Sequence, residues 1–102
     1  MPGDARYRHR VSARFEWDPK KARGNVRVHR VSFREAQTVF DDPLAISVPD
    51  PDHSEGEERN VRIGHSTRGR LLVITYTERG PTIRIIGARK ATRKEQRTYE
   101  DE

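Results

Sequence analysis

Between Arg59 and Arg89 the chain reads RNVRIGHSTRGRLLVITYTERGPTIRIIGAR, and aliphatic residues there are interleaved with Arg59, Arg62, Arg70, Arg84 and Arg89. Val, Ile, Leu and Thr at this density favour strands. An arginine cannot lie unpaired in a core. Each strand must therefore present one apolar face and one cationic face or end. The pattern predicts strands near residues 59–65, 70–77 and 82–88. Thr67-Arg68-Gly69 and Arg79-Gly80-Pro81 form the turns, with glycine supplying positive φ.

A register follows if each turn is a two-residue hairpin loop, Thr67-Arg68 and Arg79-Gly80. His65 then faces Arg70, Ile63 faces Leu72, Val61 faces Ile74 and Arg59 faces Tyr76. Across the second turn Tyr76 faces Ile83 and Ile74 faces Ile85. One face becomes Val61, Ile63, Leu72, Ile74, Ile83 and Ile85, a core for helices. The other carries Arg62, Leu71, Val73, Thr75, Arg84 and Ile86, and needs a partner, a terminal helix or a ligand to cover it. A one-residue slip at either turn would move whole strands between faces.

The N-terminal half supplies the helices. Phe15-Glu16-Trp17 is a short strand-like entry, and Asp18-Pro19 opens a helix over residues 19–29, with Asp18 as cap and Pro19 at the first position. Ala22, Val26 and His29 or Arg30 form its inner face. Ser32 and Glu35 have capping-box spacing for a second helix, whose Phe33, Ala36, Val39 and Phe40 share a face. Asp41-Asp42-Pro43 stops it. Residues 44–48 alternate as an edge strand, and PDPDHSEGEE at 49–58 is an acidic loop. Thr92 and Glu95 repeat the capping-box spacing at a C-terminal helix. Residues 1–14 carry Arg6, Arg8, Arg10 and Arg14 and read as a flexible basic tail, leaving residues 15–102 as one domain. The expected fold is α+β: a small antiparallel sheet of three to four strands, two N-terminal helices on one face and a C-terminal helix.

Only 31% of residues are hydrophobic and 36% are charged, so the core is thin. The net charge of +5 comes from 21 Lys and Arg against 16 Asp and Glu. Arginine dominates, and its planar fork suits phosphate, so a cationic sheet surface points to nucleic acid. The chain has no cysteine, which excludes disulfides, thiolate zinc sites and a cysteine nucleophile and fits a reducing cytoplasm. No apolar run suits a signal peptide or a membrane span. His53 with Asp50, Asp52 and Glu55 has the composition of a metal site, but a short proline-flanked loop without a second histidine reads as a solvated acidic segment. No metal or other cofactor is expected.

An ordered series of segments resembles the BrnT family of ribonuclease toxins from type II toxin–antitoxin modules. It runs Phe15-Glu16-Trp17-Asp18, Lys20-Lys21-Ala22, Asn25, His29, Val31-Ser32-Phe33, Glu35-Ala36, Val39-Phe40-Asp41-Asp42-Pro43, Glu58-Arg59, Ile63-Gly64, Gly69-Arg70, Ile83-Arg84-Ile85-Ile86 and Ala88-Arg89-Lys90-Ala91. The resemblance covers residues 15–100. It departs at Val28-His29-Arg30, where the family usually reads Lys-His-Gly, and at Ile86-Gly87-Ala88-Arg89, where it usually reads Ile-Ser-Ala-Arg.

The resemblance implies a RelE-like fold and metal-independent mRNA cleavage that inhibits translation. It also implies a BrnA-like ribbon-helix-helix antitoxin and binding of operator DNA through the complex, which represses its own synthesis. Such cleavage uses the 2′-hydroxyl as nucleophile and needs proton transfer and charge stabilisation at phosphorus. His29, Glu58 and Tyr76 are the candidates for proton transfer, with Arg59 and Arg84 beside them as catalytic cations. Lys20, Arg62, Arg70 and Arg89 are candidates for RNA binding. Each has a structural alternative: His29 as a helix C-cap, Tyr76 as an edge-of-core aromatic, Glu58-Arg59 as a loop-end ion pair, and Arg84 as partner of an acidic group in this chain or in the antitoxin. A non-catalytic nucleic-acid-binding module, or a decayed toxin acting as co-repressor, is the rival reading.

Overall fold

A computed structural model describes residues 14–54 and 56–101. Strand β1 (Arg14–Glu16) leads into helix α1 (Pro19–His29) and helix α2 (Phe33–Gln37), which runs on as a 3₁₀ turn, Thr38–Asp41. Strand β2 (Ile46–Pro49) and a 3₁₀ turn (Pro51–His53) precede the meander β3 (Asn60–His65), β4 (Leu71–Arg79) and β5 (Thr82–Lys90), and helix α3 (Arg93–Asp101) follows. The expected tail lies outside the described residues except for Arg14, which opens β1.

The five strands are ordered β1-β5-β4-β3-β2. Two more strands join than the central three, and the sheet is mixed rather than antiparallel. β1 lies parallel to β5, with Phe15 beside Ile83 and Glu16 beside Arg84. A parallel neighbour needs a long crossover, and the helices and the meander together provide it.

Helix ends follow their local chemistry. The Asp18 carboxylate accepts from the Lys20 N–H at 2.9 Å and Pro19 fills the first turn. Ser32 Oγ accepts from the Glu35 N–H at 3.0 Å. The α3 box is reciprocal: Thr92 Oγ1 accepts from the Glu95 N–H and Glu95 Oε1 from the Thr92 N–H. Arg30 ends α1 at φ 60, the left-handed region that glycine enters most easily.

Both hairpin registers differ from expectation. Ser66 N–H donates to Arg70 O and Gly69 N–H to Ser66 O. The first loop is therefore three residues, Thr67–Gly69, with Gly69 at φ 82, the form in which glycine completes a bulged turn. His65 thus faces Leu71, Ile63 faces Val73 and Asn60, not Arg59, faces Tyr76. Val61 and Ile63 move to the back of the sheet, while Arg62 and Gly64 move to the helix side. The second loop is Gly80-Pro81, between the pair Arg79 and Thr82, with Gly80 at φ 61. The β4–β5 register then shifts at Thr75/Tyr76, so that Ile85 faces Tyr76 while Gly87 faces Thr75. Ile86 is the extra residue of a β-bulge.

The core that results joins Leu72, Ile74, Ile85 and Ala88 of the sheet to Val31, Phe33, Ala36 and Val39. Full burial of each large aliphatic or aromatic side chain contributes about 1.5–3 kcal/mol. Phe15, Phe40 and Tyr76 stack edge to face in a row, at centroid distances of 5.3 and 4.9 Å. Trp17 anchors against Phe33 of α2 at 6.0 Å. The inner residue of α1 is Asn25 rather than Val26. Its amide donates to Val31 O and Ala88 O and accepts from the Ala88 N–H, satisfying a buried polar group that ties α1 to β5.

Candidate nucleic-acid interface

The bulge decides where the arginines go. In a regular strand residues five apart point to opposite faces. Because Ile86 is an extra residue, Arg84 opposite Thr77 and Arg89 opposite Val73 share the face turned away from α1 and α2. On that face a concave groove of about 530 Å³ has Val61, Val73, Thr75, Ile86 and Gly87 among its lining residues, with Pro49, Asp50, His53 and Arg59 on one side and Arg89 and Glu95 on the other.

Carboxylates of the same chain hold the arginines. Arg89 donates through both terminal nitrogens to Glu95, at 2.8 and 2.7 Å. Chiefly through these bonds the Glu95 carboxyl titrates at about 2. Arg84 donates to Glu16 at 3.0 Å. Arg79 grips Glu57 at 2.7 and 3.0 Å, which holds the Glu57 carboxyl below its ordinary value. Solvent-accessible pairs like these each contribute little, because water screens them. A phosphate offers the same pair of acceptor oxygens as a carboxylate, so it can take the carboxylate's place on an arginine at little cost.

Of the sequence-predicted residues, the structure brings Arg59 and Arg89 to the groove and Arg84 to the same face beyond it. Glu58 lies exposed immediately before Arg59 but lines a separate hollow with Pro51, Gly56 and Glu57 rather than the groove. The others are placed elsewhere. Lys20 and His29 are exposed at opposite ends of α1, which packs on the core side of the sheet. Tyr76 is buried on the core face against Phe40. Arg62 crosses to the helix side because of the register shift; there it donates to Val39 O, Asp42 O and Ser47 Oγ and lies 5.0 Å over the Phe40 ring. Arg70 forks onto Glu35, a nearly buried carboxylate that also accepts from Ser66 Oγ at 2.7 Å. The Arg70 hydrogen bonds are the main reason the Glu35 carboxyl is depressed. Tyr76, Arg62 and Arg70 are thus engaged by other groups of the chain and do not line the groove.

Sequence reasoning missed the pairing of His53 with Asp50, whose carboxylate oxygens lie 3.1 and 3.0 Å from Nδ1. The i,i+3 spacing after a proline was the available signal. Among the described residues no group of three or more His, Asp or Glu side chains converges as a metal-binding set. Also among them, no helix is long and apolar enough to cross a membrane. Gly87 opens onto the groove with nothing within 4 Å of the position a Cβ would take.

The family model for the ribonuclease toxin BrnT of type II toxin–antitoxin systems matches residues 17–95. The crystal structure of the Brucella abortus ribonuclease toxin BrnT superposes with a TM-score of 0.62 at 18% identity, over 79% of this chain and 99% of that one. At that identity the superposition speaks to the fold. No curated protein matches in sequence.

Proposed function

The chain belongs to the BrnT family of ribonuclease toxins of type II toxin–antitoxin systems, and on that premise we propose that it is a metal-independent endoribonuclease that cuts mRNA in the cytoplasm and so inhibits translation. The observation that carries this reading is the back-face groove, where Arg59 and Arg89 flank an apolar floor and Arg84 continues the same face. Apolar floors suit bases and arginine forks suit phosphates. In this reading Arg59, Arg84 and Arg89 bind the RNA backbone and stabilise charge on the phosphorus oxygens, and Glu58, the residue before Arg59, is a proton-transfer group.

The antitoxin expected for such a family is proposed to be a BrnA-like ribbon-helix-helix protein, and the complex to bind its own operator. A fold shared with RelE-type toxins belongs to the same reading.

Cleavage of end-labelled mRNA by purified protein in excess EDTA tests the reading. Wild type is expected to cut. Arg89→Ala is expected to cut at least tenfold more slowly, because a charge-assisted contact at phosphate is worth about 1.5–3 kcal/mol. RNA that stays intact but shifts on a native gel would favour the non-catalytic binding module or the decayed co-repressor.

A further inference from the structure

We propose that His53, oriented by Asp50, accepts the proton of the attacking 2′-hydroxyl; this rests on the ribonuclease reading of the groove. A carboxylate can only accept a hydrogen bond, so its contacts at 3.1 and 3.0 Å require the proton of a neutral imidazole to sit on Nδ1. Nε2 is then left with its lone pair, the arrangement in which histidine acts as a base and a carboxylate fixes its tautomer.

The pair is not needed to shape its own turn. His53 N–H already donates to Asp50 O, Ser54 N–H to Pro51 O and Ser54 Oγ to Asp50 O. The same segment is tied to the cationic clamp. Asp50 N–H donates to Arg59 O at 2.8 Å, and Arg59 N–H donates to Ser54 Oγ at 2.9 Å. Asp50, Ser54 and Arg59 thus form one hydrogen-bonded unit, which places the histidine on the same side of the groove as Arg59, across from Arg89. The imidazole itself is 72% exposed, whereas Asp50 is 23% exposed. The base is therefore open to substrate while its orienting group is held.

With an RNA strand in the groove, Nε2 takes the 2′-hydroxyl proton as the O2′–P bond forms. The P–O5′ bond breaks, and the departing 5′-oxygen takes a proton from water. The products are a 2′,3′-cyclic phosphate and a 5′-hydroxyl end, and the imidazolium returns its proton to solvent. Asp50 acts as a positioning residue.

The test is single-turnover cleavage of end-labelled RNA by the full chain carrying His53→Ala or Asp50→Asn, with RNA affinity measured in parallel. General-base removal costs about 10²–10⁴-fold. His53→Ala is expected to cut at least 100-fold more slowly with RNA affinity within about threefold of wild type, and added imidazole is expected to recover part of the rate through the open site. Asp50→Asn should lower the rate less and gain nothing from imidazole. Cleavage by His53→Ala within about threefold of wild type would overturn the assignment and leave the groove reading intact. A slow variant that imidazole does not rescue would also overturn it. Absence of cleavage by wild type would remove the ribonuclease reading and this proposal together.

Discussion

At the scale of single residues, Arg30 shows what a departure from the family pattern does physically. It occupies φ 60 at the end of α1, where the resemblance to the BrnT family leads one to expect glycine. A left-handed conformation costs a non-glycine residue about 1–2 kcal/mol, and glycine gives back part of that through greater freedom of the unfolded chain. Arg30 N–H still donates to Val26 O at 2.9 Å and its carbonyl accepts from Arg70, so the backbone bonds survive replacement. Arg30→Gly is expected to raise stability by about 0.5–1 kcal/mol, read as a higher urea midpoint. An unchanged or lower midpoint would show that the arginine side chain stabilises this helix end by more than the strain costs.

At the scale of elements, β3 meets the 3₁₀ turn of Thr38–Asp41 through Gly64. A Cβ there would stand 2.7 Å from Ala45 Cβ and 3.0 Å from both Val39 Cγ1 and Asp42 Oδ2. That Asp42 oxygen also accepts from the His65 N–H and the Tyr99 hydroxyl, so it has little room to yield. Gly64→Ala is expected to cost about 1–3 kcal/mol by overpacking and to lower the thermal midpoint; a wild-type midpoint would refute the close packing. The requirement for glycine at this point was not legible in the sequence, because it depends on the register. The caps at Asp18, Ser32 and Thr92 were legible, since a cap is settled by residues within one turn of helix. The hairpin loops were legible as turns but not in length. Thr67-Arg68-Gly69 serves equally as a two- or a three-residue connection on paper, and Ser66 bonding to Arg70 decides it. The cationic character of the sheet could be read from the strands. Which arginines share a face could not, because an extra residue at Ile86 leaves no local mark. The loop at 49–58 read as solvent-facing, since the bonds joining Asp50, Ser54 and Arg59 are made only when β3 docks.

At the scale of the molecule, arginine–carboxylate pairs join distant segments, and their carboxylates set the response to acid. Glu95 titrates at about 2, and Glu35 lies below its ordinary value of 4.5, first through its hydrogen bonds to Arg70. Burial pushes Asp42 up, but hydrogen bonds from the His65 and Leu44 N–H groups and from Tyr99 bring it below its ordinary value. Depressed carboxyls in the folded state mean that their stabilisation is complete above pH 4.5 and is lost as pH falls toward 2. Urea midpoints are therefore expected to be flat from pH 7 to about 5 and to fall between about 5 and 2. Glu95→Gln should remove about 1 kcal/mol of that fall, the most that a solvent-accessible pair contributes. A variant with the wild-type acid limb would show that the Arg89–Glu95 pair does not contribute. The order of strands has a further consequence, in time. Glu16 and its partner Arg84 are 68 residues apart, and among the described residues β1 has no neighbour in the sheet but β5. At about 5–20 residues per second, a ribosome needs roughly 3–14 s to travel between them. Until β5 emerges there is no bulge, no shared face for Arg84 and Arg89, and no groove. On the proposed reading, a nascent chain therefore cannot cut RNA for the first seconds after its first strand is made, because the surface that would hold the RNA has not yet been assembled.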